Sequence, residues 1–357
     1  KMEKASLQIN NLSLNADSLV SISPEPEVFL KVSIPEHYLT QQSLPLKKLE
    51  AVLNAKITDT LKGDLDISAL YLRRDTFMDM HASLKDIDFD YKNAAEKYFF
   101  AKSVELTKVS PEKLQKLSFC DLKTKIQAGR DRIGLTGLTL KGYEGAINAE
   151  VKLESAHKAS LKFTLSAFGL NVLPLMQDFN ISDKLLSGEM QINIAFDNQK
   201  KEFIEGDCYI KNGTVDLDAL AQIIKLPSLR DTNFEAIEMS FLVTKLSMGV
   251  EQIKLYSSDI LLNGGWNTNG KIEGILSIDI ASQVLNKSES FRRLLALTEI
   301  NKPYINFRFL LGGIPKNSRI MWMKGEFKDK IREGLPAGIK NSIENKLDEM
   351  IDELANQ

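Results

Sequence analysis

Apolar and polar residues alternate with a period of two through most of this chain, most regularly in its second half. Phe163, Leu165 and Ala167 interleave with Lys162, Thr164 and Ser166, and Met190, Ile192, Ile194 and Phe196 interleave with Glu189, Gln191, Asn193 and Asp197. Successive strand side chains point to opposite sheet faces, so each segment predicts a β-strand with one oily and one wet face. That is the pattern of an antiparallel sheet covered on a single side. The series continues at Cys208 and Ile210; Met239, Phe241 and Val243; Ile253 and Leu255; Ile260 and Leu262; Leu276, Ile278 and Ile280; and Ile305, Phe307, Phe309 and Leu311. Lys211-Asn212-Gly213, Asn263-Gly264-Gly265 and Asn267-Thr268-Asn269-Gly270 read as turns between strands, because Asn and Gly accept positive φ.

The first 145 residues carry the same alternation less regularly: Val28, Leu30, Val32 and Ile34; Leu49, Ala51, Leu53, Ala55 and Ile57; Met78, Met80, Ala82 and Leu84. At Lys85-Asp86 the apolar parity slips by one, and Ile87, Phe89 and Tyr91 take over, which predicts a bulge or turn there. Short helices are predicted at Ser110-Pro111-Glu112 (Ser as N-cap, Pro at the first helical position, then Leu114 and Leu117), at Asp216 to Lys225, and at Ser290 to Leu297.

From Phe327 the period changes. Phe327, Ile331, Leu335, Ile339, Ile343, Leu347, Ile351 and Leu354 recur at helical spacing, predicting an amphipathic helix broken near 334–338 by Gly334, Pro336 and Gly338. The sequence leaves open whether this helix docks on its own sheet or serves as a membrane or partner surface. Lys340 and Lys346 are outnumbered by Glu344, Asp348, Glu349, Asp352 and Glu353, which disfavours anionic lipid as its target. The pattern divides the chain into a β-rich part (1–145), a second β region (146–326) and the C-terminal helix (327–357).

A net charge of −2 over 357 residues gives no general attraction to nucleic acid. Cys120 and Cys208 are too few for a disulfide framework or a CxxC site and read as two buried, unpaired thiols. No run of about 18 apolar residues is present. The chain opens inside a strand-like segment (Leu7, Ile9, Leu12, Leu14), so an N-terminal membrane anchor is expected to precede residue 1.

Catalytic chemistry needs convergent ionisable groups, and the three histidines, His37, His81 and His157, share no HxxxH or HExxH spacing. They read as surface or strand-edge residues. No GxSxG, P-loop or GxGxxG is present. Asp64, Asp66, Asp86, Asp88 and Asp90 alternate along wet strand faces without the glycine and terminal Glu of a calcium loop. The expectation is a protein that is not an enzyme and holds neither cofactor nor metal. Trp266 and Trp322 are too few and too scattered for a glycan platform.

Five stretches occur in an order that can be matched to a known family. They are FTLSAFGLNVLPLMQDF as strand then helix, LSGEMQINIAF as a Gly-led strand, and IEGDCYIKNGTVDLDALAQIIKL as strand, turn and helix, followed by FEAIEMSFLVTKLSMGVEQIKLYSSDILLNGGWNTNGKIEGILSIDI and FRFLLGGIPKNSRIMWMKG. Over residues 161–325 this order resembles the C-terminal region of AsmA-like proteins, relatives of TamB and of the larger repeating β-groove lipid carriers. The resemblance implies an elongated, curved antiparallel sheet forming a groove, with short flanking helices. It also implies anchoring in the inner membrane of a diderm bacterium, projection into the periplasm, and phospholipid movement that supports the envelope.

The strand pattern suits that role. A phospholipid carries about 30 methylenes, so exposing its tails to water costs roughly 25 kcal/mol at about 0.8 kcal/mol each. An apolar sheet face removes that cost without any catalytic residue. The candidate lipid-facing residues are Phe163, Leu165, Ile192, Ile194, Phe196, Ile210, Phe241, Val243, Leu255, Leu262, Ile278, Phe307 and Phe309. The partners expected are a phospholipid or other acyl lipid, the membrane through the anchor, and an envelope protein at the C-terminal helix. The alternative is a non-enzymatic scaffold for outer-membrane assembly, with a closed sheet and partners held by that helix.

Overall fold

The computed structural model describes residues 2–9, 12–20, 26–34, 46–73, 76–90, 92, 97–110, 113–128, 132–154, 160–179, 181–182, 185–200, 202–244, 247–296, 303–314, 317–335 and 347–351. The chain divides into two compact units, Lys1–Ser182 and Asp183–Gln357. The 145/146 position expected as a boundary falls in a hairpin of the first unit. The fold is mainly β and antiparallel, with a few short helices.

In unit 1 the strands are β1 (Met2–Ile9), β2 (Leu12–Val20), β3 (Glu27–Ile34), β4 (Leu46–Ile57), β5 (Leu61–Arg73), β6 (Thr76–Phe89), β7 (Lys97–Ser110), β8 (Lys113–Ala128), β9 (Arg132–Gly142), β10 (Gly145–Glu154) and β11 (Ser160–Asn171). Each pairs antiparallel with the next, an uninterrupted meander. No pairing among the described residues joins β1 to β11, so the sheet is not a closed barrel. One helix, α1 (Val172–Asp178), follows β11, capped by the Asn171 side chain, which accepts from the Leu173 N–H.

Unit 2 repeats the meander with β12 (Glu189–Asp197), β13 (Glu202–Asp216), β14 (Asp231–Thr244), β15 (Met248–Tyr256), β16 (Ile260–Thr268), β17 (Ile272–Ala281), β18 (Tyr304–Ile314) and β19 (Asn317–Trp322). Its helices are α2 (Asp218–Ile223), α3 (Ser282–Leu285), α4 (Glu289–Ala296) and α5 (Lys324–Glu333), with a helical turn at 347–351. The expected helices at Asp216 to Lys225 and Ser290 to Leu297 are α2 and α4, and each buries its apolar stripe: Leu220 and Ile224, Phe291 and Leu294. Although α2 leaves the sheet between β13 and β14, it touches β19. The sheet of unit 2 therefore curls far enough to bring its two sides against one helix.

The C-terminal helix stops at Glu333, with Gly334 as its C-cap and Pro336 two residues on, as the break predicted. Residues 336–346 and 352–357, which include Ile339, Ile343 and Leu354, lie outside the described residues. Phe327, Ile331, Leu335, Leu347 and Ile351 are all buried. Phe327 stacks on Phe307 of β18 with centroids 4.8 Å apart, and Phe291 and Trp322 each lie 5.8 Å from the same Phe307 ring. The Arg308–Glu326 pair at 2.7 Å and the Lys330–Asn306 hydrogen bond at 2.8 Å fix α5 along β18.

Three expectations need correction. The helix at Ser110 is the β7–β8 hairpin: Ser110 pairs with Lys113, and Leu114 and Leu117 lie in β8. Proline's fixed φ and missing N–H suit a hairpin connection as well as a first helical turn, and residues 111–112 lie outside the described residues. Asn212-Gly213 sits inside β13 and Gly264-Gly265 inside β16, whereas Asn267 to Gly270 does end β16. A Cβ on Gly213 would come 2.0 Å from Ser187 O and 2.7 Å from Phe234 Cζ, and one on Gly264 2.6 Å from Leu276 Cδ2, so these glycines admit a close neighbour.

Phe307 is the hub of the aromatic cluster and has no exposed surface. Phe307→Ala is expected to lower the unfolding free energy by about 3–5 kcal/mol, read from denaturant unfolding followed by tryptophan fluorescence at Trp322.

Candidate functional site

The apolar parity of unit 2 lines up into transverse rows. Ile210, Ile237, Leu255, Leu262, Ile278 and Phe307 face one another across β13 to β18, and all are buried beneath the helices. Four residues toward the opposite strand ends (five on β15), Ile194, Gly206, Phe241, Val250, Trp266, Gly274 and Leu311 form another row, of which Ile194, Phe241, Trp266 and Leu311 are half-buried. Phe196, Ile204 and Val243 continue it, also half-buried. The same oily face is thus a dry core at one end and partly uncovered at the other.

Among the described residues of unit 1 there is one helix, α1, and burial changes character. Ala55, Gly63, Ile87, Ala101 and Leu122 form one row across β4 to β8, and Leu53, Leu65, Leu84, Val104 and Phe119 the neighbouring one. The buried apolar residues described in unit 1 are Ala55, Ile87, Ala101, Val104, Ile147, Ala167, Leu170 and Val172. The large ones around Ile87, Ala101 and Val104, namely Leu53, Leu65, Leu84, Phe89, Phe99, Phe119 and Leu122, stand only half-buried. A dry core buries its largest side chains first; across β4 to β8 the buried apolar residues are Ala55, Ile87, Ala101 and Val104, while the leucines and phenylalanines of the two rows stay partly wet.

The 13 candidate residues divide accordingly. Ile210, Leu255, Leu262, Ile278, Phe307 and Phe309 are buried in the helix-covered core of unit 2. Ile192, Ile194, Phe196, Phe241 and Val243 in unit 2, and Phe163 and Leu165 in unit 1, are half-buried on the same parity. The unit 1 residues on β5 to β8 were not among the candidates; of these strands the sequence reading covers the alternation of β6, and it takes Leu114 and Leu117 of β8 as helical.

A cavity of about 330 Å³ lies on the apolar face of unit 1 over β5 to β8. Ile67, Ala82, Leu106 and Leu117 face one another across its floor, with Ala69, Met80, Lys108 and Gln115 in the next row. Met80 and Leu106 keep 47 and 39% of their surface exposed. Phe179, directly after α1, forms one wall, and its carbonyl accepts a hydrogen bond from the Gln115 side chain at 3.3 Å. The Tyr143 hydroxyl donates to Asp178 at 2.6 Å and tethers the end of α1 to the β9–β10 hairpin.

The wet face carries cross-strand ion pairs: Lys31–Glu50 (3.0 Å), with the Glu50 carboxylate half-buried, and the more exposed Lys116–Glu105 (2.6 Å) and Lys211–Glu189 (3.0 Å), the last two each worth at most about 1 kcal/mol. The hydrogen bond from Lys31 holds the Glu50 carboxyl below its usual range. Asp64 and Asp66 pair with Lys85, Asp86 with Lys102 and Asp88 with Lys62. Among the described residues no three metal-type ligands converge. His81 is exposed on β6, and His37 and His157 lie outside the described residues.

Neither models of known protein families, nor curated proteins, nor solved structures match this chain.

The expectation of two buried thiols holds for Cys208 alone. Cys120 is exposed because the next residue, Asp121, takes φ 55° and shifts the apolar parity of β8 from Phe119 to Leu122. Burial pushes the Cys208 thiol up to about 11. One thiol per native chain is therefore expected to react with an aromatic disulfide reagent at pH 8 and two after denaturation; two fast native thiols would contradict the burial.

Burial and the Asp178 hydrogen bond raise Tyr143 to about 12. An unfolded tyrosine loses its proton near pH 10, whereas Tyr143 retains it in the fold, so its contribution is complete below pH 10 and is lost between about 10 and 12. The drop in stability over that window is expected to be shallower in Tyr143→Phe than in the parent, measured by urea unfolding at pH 9, 10 and 11.

Proposed function

We propose that this chain is an AsmA-like lipid carrier, which takes phospholipid or a related acyl lipid onto the apolar face of its sheets. In this reading it works in the periplasm of a diderm bacterium, between inner and outer membrane. The observation that carries the reading is the apolar face of unit 1, which has no second layer over it among the described residues and where large side chains from Leu53 to Leu122 stand half-buried beside Ala55, Ile87 and Ala101. Soluble monomers rarely leave a contiguous apolar surface of this kind without a ligand or partner for it. Acyl chains fit it because they need area and no directional contact, and the binding needs no catalytic group.

The scaffold alternative relies on the C-terminal helix as the partner surface. The described apolar positions of that helix are used inside unit 2, with Phe327 against Phe307 and Lys328 and Arg332 paired to Asp348. Lipid carriage draws on surface that the fold leaves unused.

The test is native mass spectrometry with lipid extraction on the chain purified from a diderm host. Near-stoichiometric phospholipid is expected, and a folded, lipid-free monomer would overturn the reading. Charge substitutions sharpen it: Phe163→Glu, Ile194→Glu and Phe241→Glu are expected to keep the fold by circular dichroism and lose the lipid, whereas Phe307→Glu, in the dry core, is expected to unfold the protein. Lipid retained by all three folded variants would count against the apolar face.

A further inference from the structure

The row Ala69, Met80, Lys108, Gln115 belongs to the apolar parity of β5 to β8, yet it contains a lysine. Lys108 is two residues from Leu106 and four from Val104 on the same strand face, and it lines the 330 Å³ cavity. The other lysines of β6 to β8 named above, Lys85, Lys102 and Lys116, pair with carboxylates on the wet face. No ion pair or hydrogen bond involves the Lys108 side chain among the described residues. Its row neighbour Gln115 is engaged by the Phe179 carbonyl. His81 and Thr107, of the opposite strand parity, also border the cavity, and the rest of the lining is apolar, with Ile67, Leu106 and Leu117 on the floor and Met80 beside the lysine.

We infer that this cavity is a binding site for one acyl chain whose acidic head, a carboxylate or a phosphate, pairs with Lys108. The inference deepens the carrier reading by assigning a charge preference and a position to the ligand. A cation at the edge of an apolar cavity favours a ligand with a negative group at one end of a hydrocarbon chain. Without one, the lysine has to find water at a surface that otherwise repels it. The volume holds about eleven groups the size of a water molecule at about 30 Å³ each, enough for one acyl chain. A free fatty acid or one arm of an anionic phospholipid would satisfy the site, since the two share the same chemistry.

The experiment uses the full chain stripped of lipid, titrated calorimetrically with dodecanoate and with monododecanoylglycerol, an uncharged amphiphile with the same tail, both below their micelle concentrations. Dodecanoate is expected to bind at least tenfold tighter. Lys108→Glu should remove that preference, Lys108→Arg should restore it, and Leu106→Trp, which narrows the cavity, should weaken both ligands; circular dichroism reports the fold of each variant. Equal affinity for the two amphiphiles in the parent chain, or a dodecanoate affinity unchanged by Lys108→Glu, overturns the site.

The same variants separate this site from the carrier reading. If phospholipid copurifies with Lys108→Glu as with the parent and dodecanoate affinity is unchanged, the carrier reading stands and the Lys108 site falls. If no phospholipid copurifies with the parent but dodecanoate binds in a Lys108-dependent way, the site stands alone.

Discussion

One face of each strand has to stay apolar across unit 1, and the irregularities of that sheet are placed so that it does. On β6 the apolar set is Ala82 and Leu84 before the slip and Ile87 and Phe89 after it, with Asp86 at φ 51° between them. On β7 it passes from Phe99 and Ala101 to Val104 and Leu106, and on β8 from Phe119 to Leu122 past Asp121 at φ 55°. The extra residue enters where the β5–β6 register shifts between Gly63 and Leu65, and the register shifts again between β9 and β10 at Ala149 and Val151. A slip on one strand alone would send its whole apolar set to the wet face, at about 1.5–3 kcal/mol for each large side chain. Carried across neighbouring strands, it bends the sheet and leaves the face intact. Aspartate suits the left-handed positions because its short polar side chain tolerates them, and here the charges are used: the Asp86 N–H donates to Asp64, Lys102 pairs with Asp86, and Lys141 pairs with Asp121 at 3.1 Å.

What covers that face differs between the units, and side-chain size follows the difference. In unit 2, α2 to α5 supply Ile224, Leu285, Phe291, Leu294 and Phe327, and the strand residues beneath them are large and dry: Ile260, Ile278, Ile280, Phe307 and Phe309. In unit 1 the dry positions are often alanines, and the aromatic and leucine side chains beside them have no second layer among the described residues. Tight interior packing explains the first arrangement. It gives no reason for the second, in which the leucines and phenylalanines of the β4 to β8 rows all forgo full burial.

Much of the fold was legible because its main signal, a period of two, is local. Strand positions, the slip at Lys85-Asp86, helices α2 and α4, and the helix stop before Pro336 all follow from short-range patterns. The misreadings share one cause: residues with special backbone freedom serve several purposes. Ser110 pairs with Lys113 across a hairpin where a helix start was expected, and Gly213 and Gly264 make room for Phe234 and Leu276 where turns were expected. Cys120 could not be placed without the φ of Asp121. The division of the candidate set was illegible in principle. Ile278 and Phe241 have the same alternating context, and only the position of the helices decides that one is dry and the other half-exposed.

Lys108 shows what register adds to periodicity. Along its own strand it is one lysine among several in an alternating segment; across the sheet it falls in line with Ala69 and Met80, on the face that the slips of β6 to β8 keep apolar. Had the slip been confined to β6, residues 104, 106 and 108 would have faced the solvent and the lysine would be one more partner for the wet-face carboxylates. The device that preserves the oily surface is therefore also the one that brings a charge onto it. An apolar sheet alone accepts any hydrocarbon, and discrimination among amphiphiles requires a small number of fixed polar groups within such a surface.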